Sequence, residues 1–111
     1  MGPGVSIVER AISVLVVDDH PSFRDGVRHL VDSTPWISLA GYARTGREAV
    51  TLAEQTQPDV VVLDLRLPDQ SGVDVLKQIR ALDARIPVVL ITLSRSADSA
   101  IEAMRQGAYD Y

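Results

Sequence analysis

Val60-Val61-Val62-Leu63-Asp64 decides the fold: four consecutive apolar side chains, mostly β-branched, closed by a carboxylate. Two further runs share this character, Val14-Leu15-Val16-Val17 before Asp18-Asp19 and Val88-Val89-Leu90-Ile91 before Thr92. A strand with one wet face alternates apolar and polar residues. A continuous β-branched run is the pattern of a strand covered on both faces, as in a parallel sheet. A weaker strand is expected over Ile37 to Ala43, and another beginning near Ala108.

Helical patterns fill the gaps. Pro21 suits the first turn of a helix whose Phe23, Val27, Leu30 and Val31 fall on one stripe. Thr45 and Glu48 have capping-box spacing ahead of Ala49, Leu52 and Ala53. Ser71 is placed to cap a helix with Val75, Leu76, Ile79 and Leu82 turned inward. Ser94 or Ser96 opens a last helix carrying Ala100, Ile101 and Met104, and Gly107 ends it. Pro58 and Pro87 each stop a helix just before a strand. The resulting βαβαβαβαβ order implies an α/β fold, a doubly wound parallel five-stranded sheet with right-handed crossovers.

Composition narrows the function classes. A chain of 111 residues with 46% apolar and 23% charged side chains is sized and composed for one globular domain. Eleven Lys+Arg against 15 Asp+Glu leave a net charge of −4, which argues against a nucleic-acid or anionic-membrane surface. The absence of cysteine excludes disulfides, thiolate metal sites and cysteine nucleophiles. No apolar run reaches membrane-span length, and the N-terminal stretch lacks a signal-peptide layout. The expectation is a soluble cytoplasmic domain.

In open parallel sheets, ligands gather at the carboxyl ends of the strands, where strand order reverses. Asp18 and Asp19 follow the first run, Asp64 ends the third strand and Thr92 ends the fourth. Three carboxylates on one rim repel one another unless a cation sits among them. All-oxygen donors suit a hard divalent ion, and Mg²⁺ is the usual one.

Residues 14–31 (VLVVDDHPSFRDGVRHLV), 57–80 (QPDVVVLDLRLPDQSGVDVLKQIR), 87–92 (PVVLIT) and 106–111 (QGAYDY) together resemble the receiver domain of bacterial response regulators. The stretch from Asp18 to Gly26 is similar to the NarL/FixJ-type branch. The resemblance runs from about Ile12 to Tyr111, leaving residues 1–11 as a tail. It implies a flavodoxin-like strand order of 2-1-3-4-5. It also implies that Asp64 accepts a phosphoryl group from a sensor histidine kinase or phosphotransfer protein. By the same resemblance Asp18, Asp19, Asp64 and the backbone carbonyl of Arg66 hold Mg²⁺, Thr92 is the switch hydroxyl and Tyr111 the switch aromatic. Pro68 and Gly72 match the residues that shape the loop after the phosphoacceptor.

The family places a lysine three residues past the position of Tyr111, and the sequence stops at Tyr111. The expectation is therefore a receiver incomplete before its last helix, with impaired switching and a tendency to form a homodimer. A helix-turn-helix output domain usual in this branch is not in the sequence, so no nucleic-acid contact is expected of this chain. Leu93, where many receivers have a small residue, narrows access to Asp64 on this reading.

Other readings are weaker. A haloacid-dehalogenase-like phosphatase wants an acid two residues after its nucleophile, and that position is Arg66. A flavin carrier needs a hydroxyl- and Gly-rich loop where Asp18-Asp19 stand. A degenerate receiver serving only as an interaction module is the remaining alternative, favoured by the missing lysine and opposed by the retained acids. His20 reads as a loop residue rather than a ligand. Arg24 and Arg28 fit a kinase-docking face or a solvated helix equally well. Thr45-Gly46-Arg47-Glu48 lacks the frame of a phosphate loop and reads as a helix start. Trp36 and Tyr42 are isolated and flank the second strand.

Overall fold

The valine-rich runs pair as neighbours. A computed structural model describes residues 11–91. The N-terminal tail, Thr92, Leu93, the last helix, the strand near Ala108 and Tyr111 lie outside the described residues. The order is β1 (Ile12–Val17), α1 (Pro21–Asp32), β2 (Ile37–Ala43), α2 (Gly46–Thr56), β3 (Val60–Asp64), α3 (Gly72–Leu82) and β4 (Val88–Ile91). The strands form one parallel sheet in the order β2-β1-β3-β4. Four of the five expected strands are therefore described, in the expected sequence.

Each helix begins where its local chemistry says it should. Pro21 occupies the first turn of α1. Thr45 caps α2 by accepting the Glu48 N–H at 3.1 Å, while Glu48 Oε1 accepts from the Arg44 N–H, one residue ahead of the cap. Ser71 caps α3 by accepting the Asp74 N–H at 3.2 Å. α2 ends at Gln57, whose φ of 47° is left-handed, and Pro58 then forbids continuation.

One face of the sheet is closed. Leu15, Val17, Val61, Leu63, Val88 and Leu90 pack with Ala49 and Ala53 of α2 and Val75, Leu76 and Ile79 of α3 in a single buried cluster. Full burial of a Leu or Ile stabilises by roughly 1.5–3 kcal/mol, so this cluster dominates the hydrophobic contribution of the described residues. The opposite face carries α1. Val14, Val16 and Val62 meet Phe23, Val27, Leu30 and Val31 across a groove of about 460 Å³, and no residue of α1 is fully buried.

Burial along β3 and β4 alternates, with Val61, Leu63, Val88 and Leu90 buried and Val60, Val62, Val89 and Ile91 half-buried. The buried set faces α2 and α3, and among the described residues only α1 lies over the other face. Leu30, expected inward, is 57% exposed for the same reason. Leu82, also expected inward, is exposed because it is the last residue of α3, where Asp83 turns to extended backbone and Ile79 holds the inward position.

Candidate functional site

The carboxyl ends of β1 and β3 lie side by side, because these two strands are paired with Val17 opposite Leu63. Asp18 and Asp64 therefore leave the sheet next to each other. The ladder extends past β1 through the Asp18 N–H, which donates to the Ala43 carbonyl at 2.9 Å. Asp64 is the last paired residue of β3, opposite Ile91, and the Leu65 N–H donates to the Ile91 carbonyl beyond it. Both acids are buried, at 4% and 5% exposure, while Asp19 is exposed. Ligating atoms of Asp18, Asp19, His20 and Asp64 all lie within 4.8 Å of one another.

The loop after Asp64 is fastened at several points. Asp64 Oδ1 accepts the Arg66 N–H at 3.0 Å, Arg66 pairs with Ser71 across a short antiparallel bridge, and the Gly72 N–H donates to the Leu65 carbonyl. A Cβ on Gly72 would lie 2.6 Å from Leu65 Cα and 2.7 Å from the Asp64 carbonyl oxygen, so backbone packing itself demands glycine there. Asp69 reaches the N-terminus of α2 and accepts from the Gly46 and Arg47 N–H groups at 2.7 and 3.1 Å. Those bonds, the Gly46 one foremost, hold its carboxyl below the usual carboxylate range.

Electrostatically the site is short of positive charge. Burial pushes the Asp64 carboxyl up, the Asp18 charge adds to this, and the bond from the Arg66 N–H opposes it. Among the described residues the basic group nearest the carboxylates is His20, whose Nδ1 lies 2.8 Å from Asp18 Oδ1, 3.4 Å from Asp19 Oδ1 and 3.7 Å from Asp64 Oδ2. Its hydrogen bond to Asp18 raises the imidazole pKa. His20 does occupy the loop between β1 and α1, yet its ring belongs to the acidic cluster. Its position directly after Asp18-Asp19 was the available signal.

Tyr42 is a second residue whose place the sequence did not announce. It lies inside β2, opposite Val16, and its hydroxyl donates to the His20 carbonyl at 3.4 Å. The Arg24 guanidinium stands 5.4 Å from the centre of the Tyr42 ring, a cation–π contact at the margin of the site. Trp36 flanks β2, as expected, and is exposed. Arg28 and the Arg66 side chain are exposed, and Thr45 to Glu48 form the start of α2.

Carboxylates at adjacent strand ends, an all-oxygen core and a tightly fastened following loop fit a divalent cation beside a nucleophilic carboxylate. Comparison with known proteins places this arrangement in a family. The model of the response regulator receiver domain matches residues 14–111. The nitrate/nitrite response regulator protein NarL of Escherichia coli is 32% identical over 99 residues, covering 89% of this chain and 46% of that protein. The chain thus spans about half the length of this relative. The signal receiver domain of the putative response regulator NarL from Mycobacterium tuberculosis superposes with a TM-score of 0.84 at 32% identity, covering 91% of this chain and 82% of that one. The response regulator domain of Thermotoga maritima CheB superposes with a TM-score of 0.82 at 37% identity, covering 91% and 76%. On the match over nearly its whole length, this chain belongs to the response regulator receiver domain family.

Proposed function

We propose that residues 12–111 form a phosphoacceptor receiver in which Asp64 takes a phosphoryl group and thereby changes partner binding. The observation that carries this reading is the convergence of Asp18, Asp19 and Asp64 within one ion's reach. The donor set fits Mg²⁺, being hard, anionic and oxygen-rich, with two of its carboxylates buried where an unneutralised charge is costly. Asp18, Asp19 and Asp64 would hold the ion, with the Arg66 carbonyl as a further ligand. Mg²⁺, when bound, supplies the positive charge that offsets repulsion between a carboxylate and an incoming phosphoryl group.

The residues themselves divide the remaining work. Asp64 Oδ1 accepts the Arg66 N–H, which fixes the orientation of the nucleophilic carboxylate. Asp64 is paired with Ile91 of β4, and its neighbour Leu63 with Val17 of β1, so the nucleophile is positioned before the donor arrives. The new bond joins a carboxylate oxygen of Asp64 to phosphorus as the donor's bond to phosphorus breaks. A histidine kinase or phosphotransfer protein would be the donor, and the reaction is a self-phosphorylation rather than turnover of a substrate. Thr92 and Tyr111, both outside the described residues, would read out the new charge. The described residues contain no helix long and apolar enough to cross a membrane, and a cytoplasmic setting with self-association of the chain suits the reading.

Beryllofluoride, a phosphoryl mimic, tests it. With Mg²⁺ present the chain should bind beryllofluoride, and Asp64→Asn should abolish binding. Binding that persists in Asp64→Asn, or that ignores removal of Mg²⁺, contradicts the assignment.

A further inference from the structure

We propose that His20 is itself a metal ligand, and that its imidazole moves the preference of the site from Mg²⁺ toward borderline transition ions such as Mn²⁺ and Co²⁺. The inference rests on the reading of Asp18, Asp19 and Asp64 as a cation site and adds a nitrogen donor to it.

Distances admit the ring. Metal–ligand bonds of about 2.0–2.1 Å place two ligands of one ion no more than about 4.2 Å apart. Nδ1 of His20 is 2.8, 3.4 and 3.7 Å from oxygens of Asp18, Asp19 and Asp64, so the imidazole shares the span of one ion with each carboxylate. The ring turns toward the three carboxylates.

The backbone holds it there. The His20 N–H donates to Asp18 Oδ1 at 2.6 Å, the Tyr42 hydroxyl donates to the His20 carbonyl, and Pro21 opens α1 immediately afterwards. The chain around the imidazole is therefore pinned at both of its peptide groups. The side chain remains 53% exposed, so it is free to adjust by tenths of an ångström and waters are free to complete the coordination shell.

Ligand chemistry then sets the preference. Carboxylate and carbonyl oxygens serve Mg²⁺, whereas an imidazole contributes little to that ion and much to later first-row divalent ions. His20 Nδ1 lies 2.8 Å from Asp18 Oδ1, and a neutral imidazole offers one nitrogen lone pair that suits such an ion. Tyr42 fixes the His20 backbone carbonyl, and Arg24 stands over the Tyr42 ring.

Calorimetric titration of the whole chain with Co²⁺ and with Mg²⁺, in wild type, His20→Ala and His20→Gln, tests the proposal. Loss of the imidazole should weaken Co²⁺ about tenfold and change Mg²⁺ by less than about twofold. Electron spin echo spectra of bound Mn²⁺ should show coupling to a directly bound nitrogen in wild type and not in either variant. Equal losses for both ions, or a wild-type Mn²⁺ spectrum without nitrogen coupling, would overturn the ligand role while leaving the carboxylate site standing. Failure of wild type to bind any of the three ions would instead overturn the cation site and His20's part in it together.

Discussion

The two faces of the sheet are built from alternate residues of the same strands, yet they are packed very differently. Beneath α2 and α3, Leu15, Val17, Leu63, Val88 and Leu90 are completely buried. Beneath α1, Val16 is buried but its neighbours Val14 and Val62 are only half-buried, and Leu30 stands largely in solvent. Two helices that also pack on each other seal one side, and a single described helix spans the other. The residue types are nearly the same on both faces, so helix cover rather than hydrophobicity sets the burial. The site shares in the closed side, because the loop that follows Asp64 leads directly into α3 and is tied by Asp69 to α2.

Large-to-small substitution measures the difference directly. Leu63→Ala on the closed face should cost about 2–5 kcal/mol in urea unfolding. Val62→Ala, one residue away on the α1 face, should cost about 1 kcal/mol, since less burial is lost. Equal costs would mean that both faces are equally packed. Gly72→Ala comes next. It forces a Cβ into the backbone of Leu65 and Asp64 and should cost about 1–3 kcal/mol, with weakened cation binding at the displaced Asp64.

Asp64→Asn should act in the opposite sense and stabilise the fold at neutral pH, by up to about 1 kcal/mol once solvent screening is allowed for. The sign follows from the direction of the shift. A carboxyl held above its ordinary value in the fold is penalised when ionised, so the penalty is present above the raised pKa and fades as pH falls through it. The gain from Asp64→Asn should therefore shrink toward acid, and thermal scans across pH 3–7 check it; a gain that grows on acidification contradicts the shift. The smallest effect belongs to Leu30→Gln, which should alter stability by less than about 0.5 kcal/mol. A larger loss there would show the α1 face to be covered after all.

How far the sequence disclosed this architecture depended on whether each signal was local. The strand runs were legible because β-branched residues crowd them, and Pro21, Thr45 with Glu48, and Ser71 marked the helix starts through chemistry contained within one turn. Asp18, Asp19 and Asp64 were legible as a group because each follows its own strand. Other features depend on tertiary register. The shift between Val14 and Leu15, where Val14 faces Leu39 but Leu15 faces Gly41, has no local signature beyond the glycine, and it helps place Tyr42 beside the β1–α1 loop. Gln57 carries no mark of a left-handed helix end, and only Pro58 behind it announced the stop. His20 reads as an ordinary loop residue in the sequence, because the direction of its ring is set by tertiary structure. The alternating burial of β3 and β4 was masked by runs that look the same whether one face or both are sealed.

Transfer of a phosphoryl group from a small-molecule donor such as phosphoramidate, followed by mass spectrometric mapping, tests the central claim most directly. The account predicts a single labelled residue, Asp64, with labelling that requires a divalent ion and vanishes in Asp64→Asn. Labelling at another residue, or undiminished labelling in Asp64→Asn, would contradict it.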